Sequence, residues 1–151
     1  MNKKVKNTQP VEYNNIHFRS KLEMFCYKEA KQRDLDIIYE PEKIVLLPAY
    51  EPKNVTVLTP KKTKDKYKLL NYYNKIRAIT YTPDFIVYHN DYIIFIETKG
   101  RPNDSYPLKK KMFLHFCEKS LSKKLKKHIV FMEPHNQSQV IECLNLIIEK
   151  Y

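Results

Sequence analysis

Asp84 follows a proline in Thr82-Pro83-Asp84-Phe85, and thirteen positions after it the chain reads Glu97-Thr98-Lys99. At that interval two neighbouring strands can present two carboxylates and one ammonium together, the minimum set for metal-dependent hydrolysis of a phosphodiester. The segment before Glu97, Tyr92-Ile93-Ile94-Phe95-Ile96, is apolar without alternation, as a buried strand is. A carboxylate at the end of such a strand is costly unless it is paired or binds a metal, so the placement asks for a counter-ion, read here as a divalent cation. Alternation puts Glu97 and Lys99 on one side of the strand. The Asp84 and Glu97 oxygens, with the Thr98 carbonyl, are hard ligands of the kind Mg²⁺ takes, with Mn²⁺ able to substitute. Lys99 is then placed to position or deprotonate the attacking water and to stabilise charge on the phosphate.

These residues need a frame, and the hydrophobic pattern supplies one. Apolar positions at helical spacing predict a first helix over Phe18 to Asp34. Strand character follows over Ile37 to Leu47, bent at Glu40-Pro41-Glu42, and again over Val55 to Leu58. Pro60 to Tyr73, rich in lysine and tyrosine, reads as a loop or a short helix. A strand over Asp84 to Tyr88, a turn at His89-Asn90-Asp91 and a strand over Tyr92 to Thr98 form a hairpin. Asn103-Asp104-Ser105 opens a helix over Tyr106 to Leu121, with Pro107 in its first turn and Leu108, Met112, Phe113, Phe116 and Cys117 on its buried stripe. A short strand over His128 to Met132 and a helix over Gln137 to Lys150 close the chain. The expected order is α-β-β-β-α-β-α, a mixed α/β sheet flanked by helices.

A chain of 151 residues is expected to fold as one domain, with a flexible tail at 1–12 and a lysine-rich insert at 50–78. No run approaches the roughly 18 apolar residues of a membrane span, and the polar, basic start reads as neither signal nor anchor, so a soluble, cytoplasmic chain is expected. The odd and scattered Cys26, Cys117 and Cys143 suit a reducing compartment. The five histidines show no zinc-site spacing and read as structural or surface residues.

The net charge of +11 is mostly lysine, and an A/T-rich genome accounts for part of it. It does not account for clustering. Tyr50 to Ala78 carries eight basic and two acidic residues, and Arg101 to His128 carries nine and two, so both stretches attract phosphate polyanions. Arg19, Lys61, Lys62, Lys64, Lys109, Lys110 and Lys111 are the candidate nucleic-acid contacts, with Lys109 on the apolar stripe of its helix. Tyr67, Tyr72 and Tyr73, interleaved with lysines, either stack on bases or pack the insert onto the core.

The residues Pro83-Asp84 and Glu97-Thr98-Lys99 resemble the signature of the PD-(D/E)xK nuclease superfamily. Within it, Phe18-Arg19-Ser20, Leu22-Glu23, Tyr81-Thr82-Pro83-Asp84-Phe85, Glu97-Thr98-Lys99-Gly100 and, less distinctly, Ile129-Val130-Phe131 look like the phage endonuclease I family of Holliday-junction resolvases. The resemblance implies a restriction-endonuclease-like fold in which Glu23, Asp84 and Glu97 hold the metal and Lys99 serves the attacking water. It also implies a homodimer acting on branched DNA, in the host cytoplasm if the chain is phage-encoded. The insert at 50–78 and a longer interval between Asp84 and Glu97 depart from that family.

Blander readings stand beside these. Ser20-Lys21-Leu22-Glu23 is a capping box, in which Glu23 only satisfies a helix N-terminus. Glu97 and Lys99 read singly as a strand-end ion pair, and Thr82-Pro83-Asp84 as a turn. The alternative functions are a PD-(D/E)xK nuclease of linear duplex and a non-catalytic basic DNA-binding protein.

Overall fold

The computed structural model describes residues 10–71, 75–100 and 105–151. Tyr72 and Tyr73, Asn103 and Asp104, and most of the expected tail lie outside the described residues. The chain divides into two compact units, one formed by the segments up to Glu42 and from Thr82 onward, the other by Lys43–Tyr81.

The first unit is built on a mixed four-stranded sheet. Its strands are β3 (Ile37–Tyr39), β8 (Phe85–His89), β9 (Tyr92–Ile96) and β10 (His128–Met132), in the spatial order β10-β9-β8-β3. β9 runs antiparallel to β8 and parallel to β10. The β8–β9 turn places Asn90 at φ 49°, the left-handed conformation that asparagine tolerates. Helix α1 (Lys21–Gln32) and helix α4 (Gln137–Lys150) cover one face of the sheet. There Cys26, Ala30, Val140, Leu144 and Ile147 pack with Phe85, Val87, Ile94 and Ile96. Helix α2 (Tyr106–Phe116) covers the other, with the Phe113 ring 5.0 Å from Phe95 and 5.9 Å from Phe131. Because both faces are covered, β9 carries an unbroken apolar run.

Caps set the helix starts. The Ser20 hydroxyl accepts from Glu23 N–H and the Asn136 side chain accepts from Gln139 N–H. Helix α4 has the bounds expected from sequence. Helix α1 is shorter, because Phe18 belongs to a strand. Residues Val11–Tyr13 (β1) and Ile16–Phe18 (β2) form a hairpin across Asn14 and Asn15, both at positive φ. The expected tail therefore gives way to structure at Val11. Past α2 the helix continues through a π-helical turn at Cys117–Leu121 and a short α3 (Ser122–Leu125), and it ends at Lys126 with φ 51°. On α2, Tyr106 and Phe113 are buried and Leu108 is exposed, so Leu108 leaves the expected stripe.

The strand character expected over Ile37 to Leu47, broken at Glu40-Pro41-Glu42, resolves into two strands in separate sheets. β3 ends at Tyr39, and β4 (Ile44–Leu47) pairs with β7 (Ile79–Tyr81) in the second unit. Pro41, which lacks an N–H to continue a ladder, lies between them. The lysine-rich insert is neither loop nor helix: Leu58–Lys62 (β5) and Tyr67–Asn71 (β6) pair in antiparallel register. The seven-element order expected from sequence is thereby replaced by one with ten strands among the described residues. No helix among them is long and apolar enough to cross a membrane.

Candidate active site

The register of the first unit's sheet brings the carboxylates together. Phe85 pairs with Ile96 across β8 and β9, so Asp84 and Glu97 are the next residues at the same end. Beyond the strands the backbone bonds continue, from Glu97 N–H to the Met132 carbonyl and from Lys99 N–H to the Pro134 carbonyl, each at 2.9 Å. Glu40 N–H donates to the Asp84 carbonyl at 2.8 Å on the other side. Asp84, Glu97 and Lys99 thus sit on backbone held by neighbouring strands.

The side chains form a compact cluster. Thr98 donates to Asp84 Oδ2 from both its N–H and its hydroxyl, each at 2.8 Å. Asp84 N–H lies 3.3 Å from Glu97 Oε2, and Lys99 Nζ lies 2.5 Å from Glu97 Oε1. The same ammonium stands over the Tyr106 ring, 3.9 Å from its centroid. The Glu97 side chain is only 5% exposed, so this ion pair is largely removed from water. Burial, then the nearby charges of Glu97 and Glu23, push the Asp84 carboxyl up to about 7. A carboxyl raised in this way favours a proton or a cation beside it.

Glu23 is buried and makes half of the capping box: its N–H donates to the Ser20 hydroxyl, while its carboxylate turns to Arg19 N–H, one residue before the cap. Its Oε1 accepts from the Ser20 hydroxyl at 3.0 Å, and its Oε2 accepts from Arg19 N–H at 3.0 Å and from the Tyr39 hydroxyl at 2.7 Å. It reaches the cluster electrostatically, as one of the charges that raise Asp84. Thr98, to which sequence assigns a carbonyl ligand, holds Asp84 through its N–H and hydroxyl.

Four residues of this region escape sequence reasoning. Tyr39 packs between Phe18 and Phe85, with centroids 4.6 and 5.3 Å away, and its hydroxyl fixes Glu23. Burial and that carboxylate raise the Tyr39 phenol above its ordinary value. Glu40 pairs with the Arg19 guanidinium. Glu133 follows β10 as Glu97 follows β9, and since Met132 is in register with Ile96 the two glutamates are adjacent. Glu133 accepts from the Tyr106 hydroxyl and from Lys110 Nζ, the latter at 2.7 Å. Its carboxyl is lowered: burial opposes ionisation, and the bonds from Lys110 and Tyr106 outweigh it. A charge stopping an apolar strand, the signal that singles out Glu97, was present at Glu133 as well.

Of the expected nucleic-acid contacts, Arg19 and Lys110 are thus engaged with carboxylates. Lys109 is half-buried, Lys111 exposed, and Lys61, Lys62 and Lys64 lie on the exposed β5–β6 pair. A cleft of about 770 Å³ between the α2–α3 segment and β10, lined by Leu114, Cys117, Glu118, Lys123, Lys127 and Phe131 among others, includes neither Asp84, Glu97 nor Glu23. The Asp84, Glu97 and Lys99 cluster lies at the sheet end, outside it.

A family model described as a protein of unknown function, DUF1064, matches residues 3–130. The chain belongs to that family. No curated protein and no solved structure matches it. The DUF1064 match takes in Glu23, Asp84, Glu97 and Lys99 and stops before Glu133 and α4.

The donor chemistry of this DUF1064 chain fits a hard divalent ion. Mg²⁺ is commonly held by one or two carboxylates, with water and substrate phosphate in the other positions. Asp84 and Glu97 offer that pair, with the Asp84 carboxyl raised by burial first and then by the charges of Glu97 and Glu23. Among the described residues, no three His, Cys, Asp or Glu side chains are grouped so as to hold an ion by themselves.

Proposed function

We propose that this chain is a Mg²⁺-dependent DNA endonuclease of the PD-(D/E)xK type, with a restriction-endonuclease-like core, acting as a homodimer on branched DNA such as a four-way junction. The observation that carries the reading is the meeting of Asp84, Glu97 and Lys99 at one end of two paired strands. There Glu97 is buried, Asp84 is half-buried with its carboxyl raised to about 7, and an ammonium stands 2.5 Å from Glu97. The two basic stretches of the sequence supply attraction for a polyanion.

In this reading Asp84 and Glu97 hold the ion, and Thr98 keeps Asp84 oriented through two hydrogen bonds. When bound, the ion polarises the scissile phosphate and makes a nearby water more acidic. Lys99, steadied by Glu97 and the Tyr106 ring, orients that water and stabilises the charge growing on the phosphate oxygens. Water oxygen bonds to phosphorus in line as the bond to the leaving sugar oxygen breaks; the attacking water gives up one proton to solvent, and the leaving oxygen takes one from solvent. Glu23, held in place by the Tyr39 hydroxyl, adds its charge to the field at Asp84.

The deciding assay incubates the protein and Mg²⁺ with a four-way junction and, separately, with the same sequence as plain duplex. Faster cutting of the junction is expected, with Lys99→Ala losing cleavage while keeping DNA binding. Equal rates would assign the enzyme to linear DNA. No cleavage of either by the wild type, with Mg²⁺ or Mn²⁺, would leave a DNA-binding protein and end the nuclease reading.

A further inference from the structure

Leu58–Lys62 and Tyr67–Asn71 form a two-stranded ribbon in which five pairs face each other, from Leu58 opposite Asn71 to Lys62 opposite Tyr67. Thr63 N–H, donating to the Lys66 carbonyl at 2.9 Å, closes its tip. Directly opposed residues share a face and alternate along each strand, so Leu58, Pro60, Tyr67 and Leu69 stand on one side. That side is open: Leu58 is 54%, Tyr67 68% and Leu69 64% exposed. Apart from the half-exposed Thr59 and Thr63, every residue from Leu58 to Asn71 is exposed.

An uncovered two-stranded ribbon is marginal in water, since its pairing is not backed by a buried face. Charge indicates what it fits. Lys61, Lys62, Lys64, Lys66 and Lys68 against Asp65 give the segment a net charge of +4; Lys62 shares the apolar face, Lys64 and Lys66 stand at its tip, and Lys61 and Lys68 pair on the other side. A partner for this surface must be polyanionic yet offer flat apolar groups between its charges. Duplex DNA has both, and a two-stranded ribbon is narrow enough to enter a groove, where apolar side chains meet sugars and bases and lysines meet phosphates. Five residues per strand give about 17 Å of ribbon, roughly half a turn of B-DNA.

We propose that the β5–β6 ribbon is a DNA-gripping arm, with Lys62, Lys64 and Lys66 on backbone phosphates and Tyr67 and Leu69 against the groove. The inference rests on the nuclease reading only in taking DNA as the partner. The test measures binding of a short labelled duplex without metal across a salt series, for the wild type, for the triple variant Lys62→Ala/Lys64→Ala/Lys66→Ala, and for Tyr67→Ala. Each phosphate contact contributes about 0.9 to the slope of log affinity against log salt, so the triple variant should lose roughly 2 to 3 from it. Tyr67→Ala should bind about tenfold more weakly with the slope unchanged. All four residues are exposed, so circular dichroism melts should match the wild type.

An unchanged slope in the triple variant, or a wild type that does not bind duplex, overturns the arm. So does a Tyr67→Ala variant that sediments as a monomer where the wild type is a dimer, with affinity per protomer unchanged, since the ribbon then joins copies of the chain. Cleavage keeps the two proposals separate. If the wild type never cuts DNA and the slope still falls, the nuclease reading fails and the arm stands. If the triple variant keeps the wild-type slope while the wild type cuts, the arm fails and the nuclease stands.

Discussion

The sheet end around Asp84 and the β5–β6 ribbon both concentrate charge, and they do so under opposite physical conditions. At the sheet end the charges are buried or half-buried and anchored to strands on both sides, and burial, then the charges of Glu97 and Glu23, raises Asp84 to about 7. On the ribbon they are exposed, all but one of the same sign, and unsupported by a buried face. Charges removed from water interact strongly and with fixed geometry, which suits bond-making and bond-breaking. Charges in water interact weakly and over a range of positions, which suits holding a long polyanion. Substitutions at the first place should therefore alter chemistry and stability together, and those at the second should alter binding alone.

The largest contrast is expected for Asp84→Asn. It keeps the side chain's shape and removes one ligand charge, so Mg²⁺-dependent cleavage at saturating DNA should fall at least about 100-fold. The ribbon variants should keep the wild-type rate at the same saturation. A ribbon variant as inactive as Asp84→Asn would erase the division between the two regions.

The pH dependence of stability sharpens the comparison next. Because the folded-state pKa of Asp84 is raised from 3.8 to about 7, the folded chain binds the proton more tightly than the unfolded chain between those values. Stability of the metal-free protein from this group is then fully present below about pH 4 and is lost as pH rises through about 7. A cation that favours the ionised carboxyl opposes the loss. The rise in melting temperature on adding Mg²⁺ should accordingly be larger at pH 8 than at pH 5, and Asp84→Asn should flatten both trends. Equal Mg²⁺ shifts at the two pH values would separate Asp84 from the ion.

How far these regions could be read from sequence follows the same division. Asp84, Glu97 and Lys99 were legible because they stand at the ends of apolar runs, and burial writes that pattern strongly. The helix over Gln137–Lys150 was legible for its buried stripe of Val140, Leu144 and Ile147. The ribbon was not, since among the described residues nothing covers it, and the alternation in Leu58-Thr59-Pro60-Lys61 and Tyr67-Lys68-Leu69 is too short to stand out from a lysine-rich stretch. The β1–β2 hairpin carried a readable signal, Asn14-Asn15 between alternating residues, hidden by its place next to a polar tail. Tyr39 and Tyr106 reach the site from distant segments, and no local spacing announces such contacts.

Smaller effects test the same contrast at single hydroxyls and methyls. Tyr39→Phe removes the donor to the buried Glu23 carboxylate and should cost about 1.5–3 kcal/mol in denaturant unfolding, the range for hydrogen bonds to charged groups.

The smallest effect is expected for Leu69→Ser. In a folded core the loss of a leucine side chain costs about 2–5 kcal/mol, as for Leu144→Ala beneath the sheet, because apolar area returns to water and a cavity opens. Leu69 is 64% exposed, so most of its area is in water already and its removal leaves no cavity. The change in unfolding free energy should stay within about 0.5 kcal/mol, as for other exposed positions. Affinity for duplex should fall all the same, since on the proposed arm this side chain is buried only when DNA is bound. A stability loss near that of Leu144→Ala would mean that the ribbon's apolar face is covered in the free protein, and the open surface assigned to DNA would not exist in solution.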